Sequence, residues 1–364
     1  MKLILNEIFK NVNSSWQYRY TFSFLLAFVL ALILIPISIV LLKRFNIMDQ
    51  PNERKVHLTP IPRMGGIAVF IAFVIPMILL MFFDTAQKGI ILGSAIALLI
   101  GAIDDIWGVP ATLKLLALIL LTLFIRQYGV ITNIIFSDNS IINTVLNLFI
   151  SIFWITGVCS ALNAIDHMDG LAGGISLIAA LAYFAVSIQT GQMFWGLLSI
   201  SLAGSLLGFL VYNKHPAKIF MGDSGSFFLG FSLASIGIMG GWDSNPIKAT
   251  IIPIAILSLP LCDLIYVLIS RKITGTTKTL KESISYCAKD HIGHRLHKIG
   301  FSDKNTARMV YLVSGTIAIS ALILRNTKIL GSFLLLLQMV LIYIMLVALM
   351  QISSTSSNTG KQDV

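Results

Sequence analysis

The chain has 364 residues, 56% of them hydrophobic and only 12% charged, with a formal net charge of +10. A soluble globular domain carries about twice that charged fraction, and the mean hydropathy of +0.88 excludes a soluble enzyme on a single anchor in favour of a polytopic membrane protein. The positive excess reads as loop charge facing an anionic leaflet, and no nucleic-acid partner is expected.

Residues 1–20 are mixed in character, and the apolar run that follows lacks a small-residue cleavage site, so no cleaved signal peptide is expected. Apolar stretches then recur near 21–43, 64–83, 88–103, 112–126, 142–162, 171–189, 193–212, 227–241, 248–270, 306–325 and 329–350, each about the length that crosses a bilayer. The expected fold class is all-α: a polytopic integral membrane protein of about eleven transmembrane helices over residues 1–350. The polar tail 351–364 is expected to be disordered. Cys159, Cys262 and Cys287 share no metal or disulfide spacing.

Charge bias orients the spans. Loops after odd-numbered spans hold Arg44, Arg54, Lys55, Arg63, Lys214, Lys218, Arg271, Lys272 and the basic residues between Lys278 and Lys304. Loops after even-numbered spans hold only Lys88, Arg126, Lys248, Arg325 and Lys328. The first set is expected to be cytoplasmic, with the N-terminus outside and the C-terminus inside. Six aspartates then gather at the inner face: Asp104, Asp105, Asp166, Asp169, Asp223 and Asp263. A carboxylate at a membrane boundary is costly to desolvate and marks a site by default.

Each motif has a functional and a plain reading. In DQPNERKVHLTPIPRMGG, Arg54, Lys55 and Arg63 suit a lipid phosphate or diphosphate, or are topology charge alone. Asp104 and Asp105 in GAIDDIWG suit Mg²⁺ or general-base chemistry, or an ordinary solvated loop. Lys114 is a phosphate contact or an interface lysine that snorkels. Asn163, Asp166 and Asp169 in NAIDHMDGLAGG recur at three-residue spacing, which lines them along one helix face. Helix capping does not account for two acids flanked by apolar sequence. FMGDSGS is a glycine-bearing turn into an apolar span; backbone N–H groups there suit phosphate, and Asp223 suits a metal or an N-cap. His291, His294 and His297 step by three beside Arg295, fitting phosphate or sugar contact better than zinc, since no cysteine or nearby glutamate completes a zinc set.

Taken in order, PNERKVHLTPIPRMGG, GAIDDIWG, NAIDHMDGLAGG, FMGDSGSFFLG, PLCDLIYVLISRK and DHIGHRL resemble the motifs of the polyprenyl-phosphate N-acetylhexosamine-1-phosphate transferases, bacterial glycosyltransferase family four, from about residue 20 to residue 350. The resemblance implies an enzyme of the bacterial inner membrane that starts a lipid-linked envelope glycan. Undecaprenyl phosphate attacks a UDP-N-acetylhexosamine at the β-phosphorus and UMP leaves, with Mg²⁺ (Mn²⁺ as the alternative) as cofactor. It implies Asp223 as the main metal ligand and Asn163 as a second. Asp104 is implied as base or acceptor-phosphate positioner with Asp105 beside it, and Asp166 as part of the catalytic floor. Asp169, Asn213 and Phe220 would form the uridine pocket, Phe220 by stacking on uracil. Lys114, His291, His294 and Arg295 would hold the diphosphate or sugar. Direct attack and a covalent intermediate both stay open, and a homodimer is allowed.

The chain departs from the family in its last loop. A His-x-His-His core is usual there, and Gly293 replaces the middle histidine. The acid usually found three positions before the first histidine is Ala288, with Asp290 adjacent instead. The missing three-histidine run argues against the muramoyl-pentapeptide branch and for the UDP-N-acetylhexosamine branch, with UDP-GlcNAc the default donor. The rival from another class is a transporter or flippase for a phosphorylated lipid or sugar. Its coupling acids would be expected near the bilayer midplane rather than at one edge.

Overall fold

Hydrocarbon offers no hydrogen bonds, so a chain this apolar satisfies its backbone within each segment, as helix. The computed structural model describes residues 15–50, 59–80, 83–286 and 288–359. Arg54, Lys55, His57 and Cys287 lie outside the described residues. In chain order come α1 (Trp16–Arg44), the short strands β1 (Met48–Asp49) and β2 (Ile61–Pro62), α2 (Gly66–Leu80), α3 (Thr85–Trp107), α4 (Ala111–Ile125), α5 (Ser140–Ile165), α6 (Leu171–Thr190) and α7 (Met193–Asn213). Then follow α8 (Gly222–Met239), α9 (Pro246–Ile256), α10 (Ser258–Ile273), α11 (Leu280–Ser285), α12 (Ile292–Lys298), α13 (Asp303–Arg325) and α14 (Ile329–Thr359). The two strands pair antiparallel, Met48 opposite Pro62 and Asp49 opposite Ile61.

Among the described residues each expected apolar stretch is helical over most of its length, but the count of eleven spans is not established. Among the described residues eight helices qualify by length and composition to cross a membrane, or nine if the bent pair α9–α10 is one span. The shortfall has a physical cause. α2 has 15 residues, about 22 Å of helix against a hydrocarbon core of about 30 Å. α8 is diluted by Asp223 and by serines and glycines along its length. The backbone of α14 is helical to Thr359, where a disordered tail was expected from residue 351. Residues 360–364 lie outside the described part.

The centre of the bundle is α8, buried without interruption from Ser224 to Gly237 and packed against α2, α3 and α5. A helix enclosed on all sides cannot be amphipathic, and its small residues let neighbours approach closely. α1 lies at the periphery. Ala27, Ala31 and Ile35 face inward, while Leu25, Val29, Ile33 and Ile37 form an exposed apolar stripe, as suits a lipid-facing helix. α9 and α10 meet at a 72° bend. Pro253 lies within α9 and Pro260 in the first turn of α10, and proline removes helix hydrogen bonds on either side of the break. The Ser258 hydroxyl at the bend is hydrogen bonded to Tyr343 of α14 at 2.5 Å.

Candidate active site

The site is organised around the start of α8. Gly222 has φ +75°, and a Cβ there would lie 2.6 Å from Asp105 Oδ2, so only glycine lets the chain turn into the helix at this place. The helix has no side-chain cap of its own. Asp105, at the end of α3, supplies one: the backbone N–H groups of Asp223 and Ser224 donate to its two oxygens at 2.9 and 3.0 Å. Arg63 completes it, with Nη2 donating to Asp105 Oδ1 at 2.6 Å and Nε at 3.1 Å. Burial opposes the Arg63 charge, but Asp105 outweighs it and raises the guanidinium further. The Asp105 side chain is 0% exposed. The capping that Asp223 offered as its plain reading is thus supplied by an acid from another helix.

Asp104 points to a second cation. Its Oδ1 accepts the Val109 N–H at 2.6 Å and its Oδ2 accepts Lys114 Nζ at 2.7 Å. The same ammonium donates to Asp223 Oδ2 at 3.0 Å. Lys114 therefore bridges the acid of α3 to the acid of α8, and it also lies 5.7 Å from the Phe227 ring centroid. Side-chain exposure sorts the three acids: 23% for Asp223, 8% for Asp104 and 0% for Asp105. Asp223 is the carboxylate of this network most open to a ligand.

The loop between α5 and α6 borders the network. Asn163 donates to Ser226 Oγ of α8 at 3.0 Å. Burial, with the charges of Asp223, Asp105 and Asp169 adding, raises the Asp166 carboxyl well above the usual carboxylate range. Asp169 accepts His215 Nδ1 at 2.9 Å and the Ala217 N–H at 3.0 Å. Asn213 accepts the Gly170 N–H at 3.0 Å and donates to Ile219 O at 2.8 Å. Its amide ties the loop of Asp169 to the loop of Phe220. The Phe220 backbone is fixed in turn, its N–H to Pro62 O and its carbonyl to the Gly65 N–H.

The last loop closes the site. Asp263 of α10, 1% exposed, accepts His291 Nδ1 at 2.7 Å and the Ile292 N–H at 2.8 Å. An ion pair between Asp263 and Arg271 does not form; Arg271 instead makes a two-pronged pair with Asp290 at 2.7 and 2.8 Å. Despite burial, Arg271 holds Asp290 below the usual carboxylate range. Arg295, expected to touch substrate, is buried and reaches Asp290 O, Met350 O and Ser270 Oγ. Its guanidinium lies over Tyr266, so its visible work is to fasten α12 to α14. His294 faces His167, ring centroids 4.5 Å apart. Burial lowers the His294 imidazole to about 3, with His167 and His291 adding. Exposed His297 pairs with Asp303 at 3.2 Å, away from the other two.

Sequence reading missed the capping role of Asp105, the Asp263–His291 pair and the presence of His167 in the last-loop cluster. Adjacency of His167 to Asp166 was the one signal available. Among the described residues no group of three His, Cys, Asp or Glu side chains is arranged to hold a metal. Mg²⁺ is usually held by one or two carboxylates, with water and phosphate completing the shell. The carboxylate of Asp223, the most open of the network, and the side-chain amide oxygen of Asn163 are donors of the kind such an ion takes.

Acids and cations gathered at one end of a polytopic helical bundle make an arrangement suited to a phosphate-bearing ligand in a membrane protein. The chain belongs to glycosyl transferase family 4, the family matched over residues 88–241. It is 32% identical to a probable undecaprenyl-phosphate N-acetylglucosaminyl 1-phosphate transferase of Bacillus subtilis over 315 residues, 85% of this chain and 86% of the relative. It is 30% identical to a decaprenyl-phosphate N-acetylglucosaminephosphotransferase of Mycobacterium tuberculosis, covering 78% of this chain and 76% of that one. A phospho-N-acetylmuramoyl-pentapeptide-transferase of Clostridium botulinum is 35% identical over 227 residues, 56% of this chain and 68% of the relative.

Proposed function

We propose that the protein transfers GlcNAc-1-phosphate, or a closely related HexNAc-1-phosphate, from a UDP-sugar to undecaprenyl phosphate, releasing UMP. A phosphate oxygen of the lipid forms the new bond to the β-phosphorus, and the bond from that phosphorus to the bridging oxygen of UMP breaks. The observation that carries the reading is the linked set Arg63–Asp105–Asp223–Lys114–Asp104 around the start of α8. Similarity to GlcNAc-1-phosphate transferases along most of the chain supports it.

Phosphoryl transfer needs positioning and charge neutralisation more than covalent help. Lys114 and Arg63 are the cations placed to meet phosphate oxygens, and each is already aimed by an acid. Asp104 holds Lys114 and a backbone N–H together, which suits a positioner of the ammonium better than a proton acceptor. A lipid monophosphate is substantially dianionic near neutral pH, with a second pKa of about 6, and needs no strong base. Asp223, with Asn163 as a second ligand, would hold Mg²⁺, which when bound would neutralise the diphosphate. Asp169 and Phe220 would frame the uridine, and His291 and His294 the sugar side. The catalytic face would be cytoplasmic, in a bacterial inner membrane.

The test is membranes containing the protein, given undecaprenyl phosphate, Mg²⁺ and a panel of UDP-sugars, with UMP release as readout. Release with UDP-GlcNAc or one related UDP-amino sugar is expected, and no release from any donor defeats the reading. Asp223→Ala is expected to lower turnover by roughly 100- to 1,000-fold, the scale on which charge-stabilising groups act. An unchanged rate in that variant removes Asp223 from the metal.

A further inference from the structure

We propose that His167 is a positioning residue on the donor side of the site, and that Gly293 is glycine in order to admit it. The inference deepens the function proposed above and rests on it. His167 stands between Asp166 and Asp169 in sequence but reaches across to the last loop. Its ring centroid is 4.5 Å from that of His294 and 5.5 Å from that of His291, with interplanar angles of 32° and 35°. A Cβ built on Gly293 would lie 2.5 Å from His167 Nε2 and 2.2 Å from Met168 Sδ. Any other residue at 293 would claim the volume His167 and Met168 occupy.

The protonation of this ring follows from its contacts. His167 Nδ1 lies 3.0 Å from the carbonyl oxygen of Ala164. A carbonyl only accepts, so Nδ1 carries the proton and Nε2 presents a lone pair. Nε2 is enclosed and has no hydrogen-bond partner, and burial lowers the imidazole to about 4, so it stays neutral. A buried acceptor left without a donor is unfavourable, and its retention here, wedged against two other imidazoles, points to a role other than stability.

That role is to fix ring planes. His291 is held from behind by Asp263, and His294 packs against His167 with the two rings tilted by 32°. The three imidazoles therefore come from two loops, and His167 is the tie between them. The loop that carries it also carries Asp169, which is anchored to His215 and Ala217, whereas Arg63 belongs to the network around α8. A change at His167 should disturb use of the UDP-sugar and leave use of the lipid phosphate intact. A merely structural residue would disturb both.

The test uses the full chain in detergent–lipid micelles, with undecaprenyl phosphate and the UDP-sugar the wild type uses. His167→Phe is expected to raise KM for the UDP-sugar about tenfold while KM for undecaprenyl phosphate stays within about twofold. Gly293→His is expected to lower kcat/KM for the donor about 30-fold or more. Combining it with His167→Ala, which vacates the space and returns an imidazole from the other loop, is expected to recover about tenfold of that loss. Equal KM shifts for both substrates, His167→Phe at wild-type values, or an exchange variant no better than Gly293→His would each overturn the inference. If thermal midpoints show that a variant folds poorly, His167→Asn, which is smaller and keeps an N–H for Ala164 O, is scored on the same KM comparison. A wild type that releases no UMP defeats the proposed function; an active wild type with an unaltered His167→Phe defeats only this inference.

Discussion

Asp105 accepts two N–H groups at the start of α8 while Asp223, which owns one of them, accepts Lys114 from another direction. Two acids one hydrogen bond apart thus carry different loads. Asp105→Asn should leave Arg63 without its carboxylate and weaken the cap, lowering stability by about 1–3 kcal/mol, read as a fall in thermal midpoint in detergent. Asp223→Asn should remove turnover with little change in midpoint, and the opposite pattern would exchange their roles. The division was not legible in the sequence, because the acid that caps α8 lies 118 residues away from it. What sequence could show was that acids converge on one end. Titration separates the last loop from this network. The folded His294 imidazole sits at about 3 and that of His167 at about 4, against roughly 6.5 in an unfolded chain. Their folded pKa values are lowered, so between these limits the unfolded chain binds more protons. Stability is full above about pH 6.5 and is lost as pH falls toward 3. Asp166 acts with the opposite sign, since a raised carboxyl favours the fold at low pH. His294→Asn isolates the imidazole: it should flatten the fall in midpoint between about pH 6.5 and 5, and an unaltered slope would show that His294 does not cause it.

The elements were largely legible. Each apolar run became a helix because length and hydropathy leave a membrane chain few alternatives. The bend at Leu257 was not read, although Pro253 and Pro260 flank it, because a broken and a straight helix share the same hydropathy. Nor were the short helices α11 and α12 legible as anchored elements, since their anchors come from distant helices. Asp263 is the main one: it takes the first N–H of α12 and the ring of His291 together. Asp263→Ala should release that end of the loop. Hydrogen exchange should rise across residues 286–298, with donor kcat/KM falling on the order of tenfold. Protection equal to wild type would show that Arg271–Asp290 alone holds the loop.

At the scale of the molecule, the sequence placed the acids at one end through their positions relative to the spans, and hydrogen bonds such as Asp105 to the start of α8 and Asp263 to His291 bear that out. Orientation rests on the bias of lysine and arginine between loops. With the three native cysteines replaced, Lys272→Cys should label only from the cytoplasmic side and Asp138→Cys only from outside; the reverse pattern would invert the topology. Lys114, lodged between Asp104 and Asp223, has a consequence for the empty hours of the enzyme. It is a tethered counterion, and a tethered ion cannot be diluted or chelated away. Lys114 holds the two carboxylates together by itself, so on the metal assignment proposed above a shortage of Mg²⁺ would leave an idle protein rather than an unfolded one. A chelator should therefore stop UMP release without lowering the thermal midpoint, and activity should return in full when Mg²⁺ is restored.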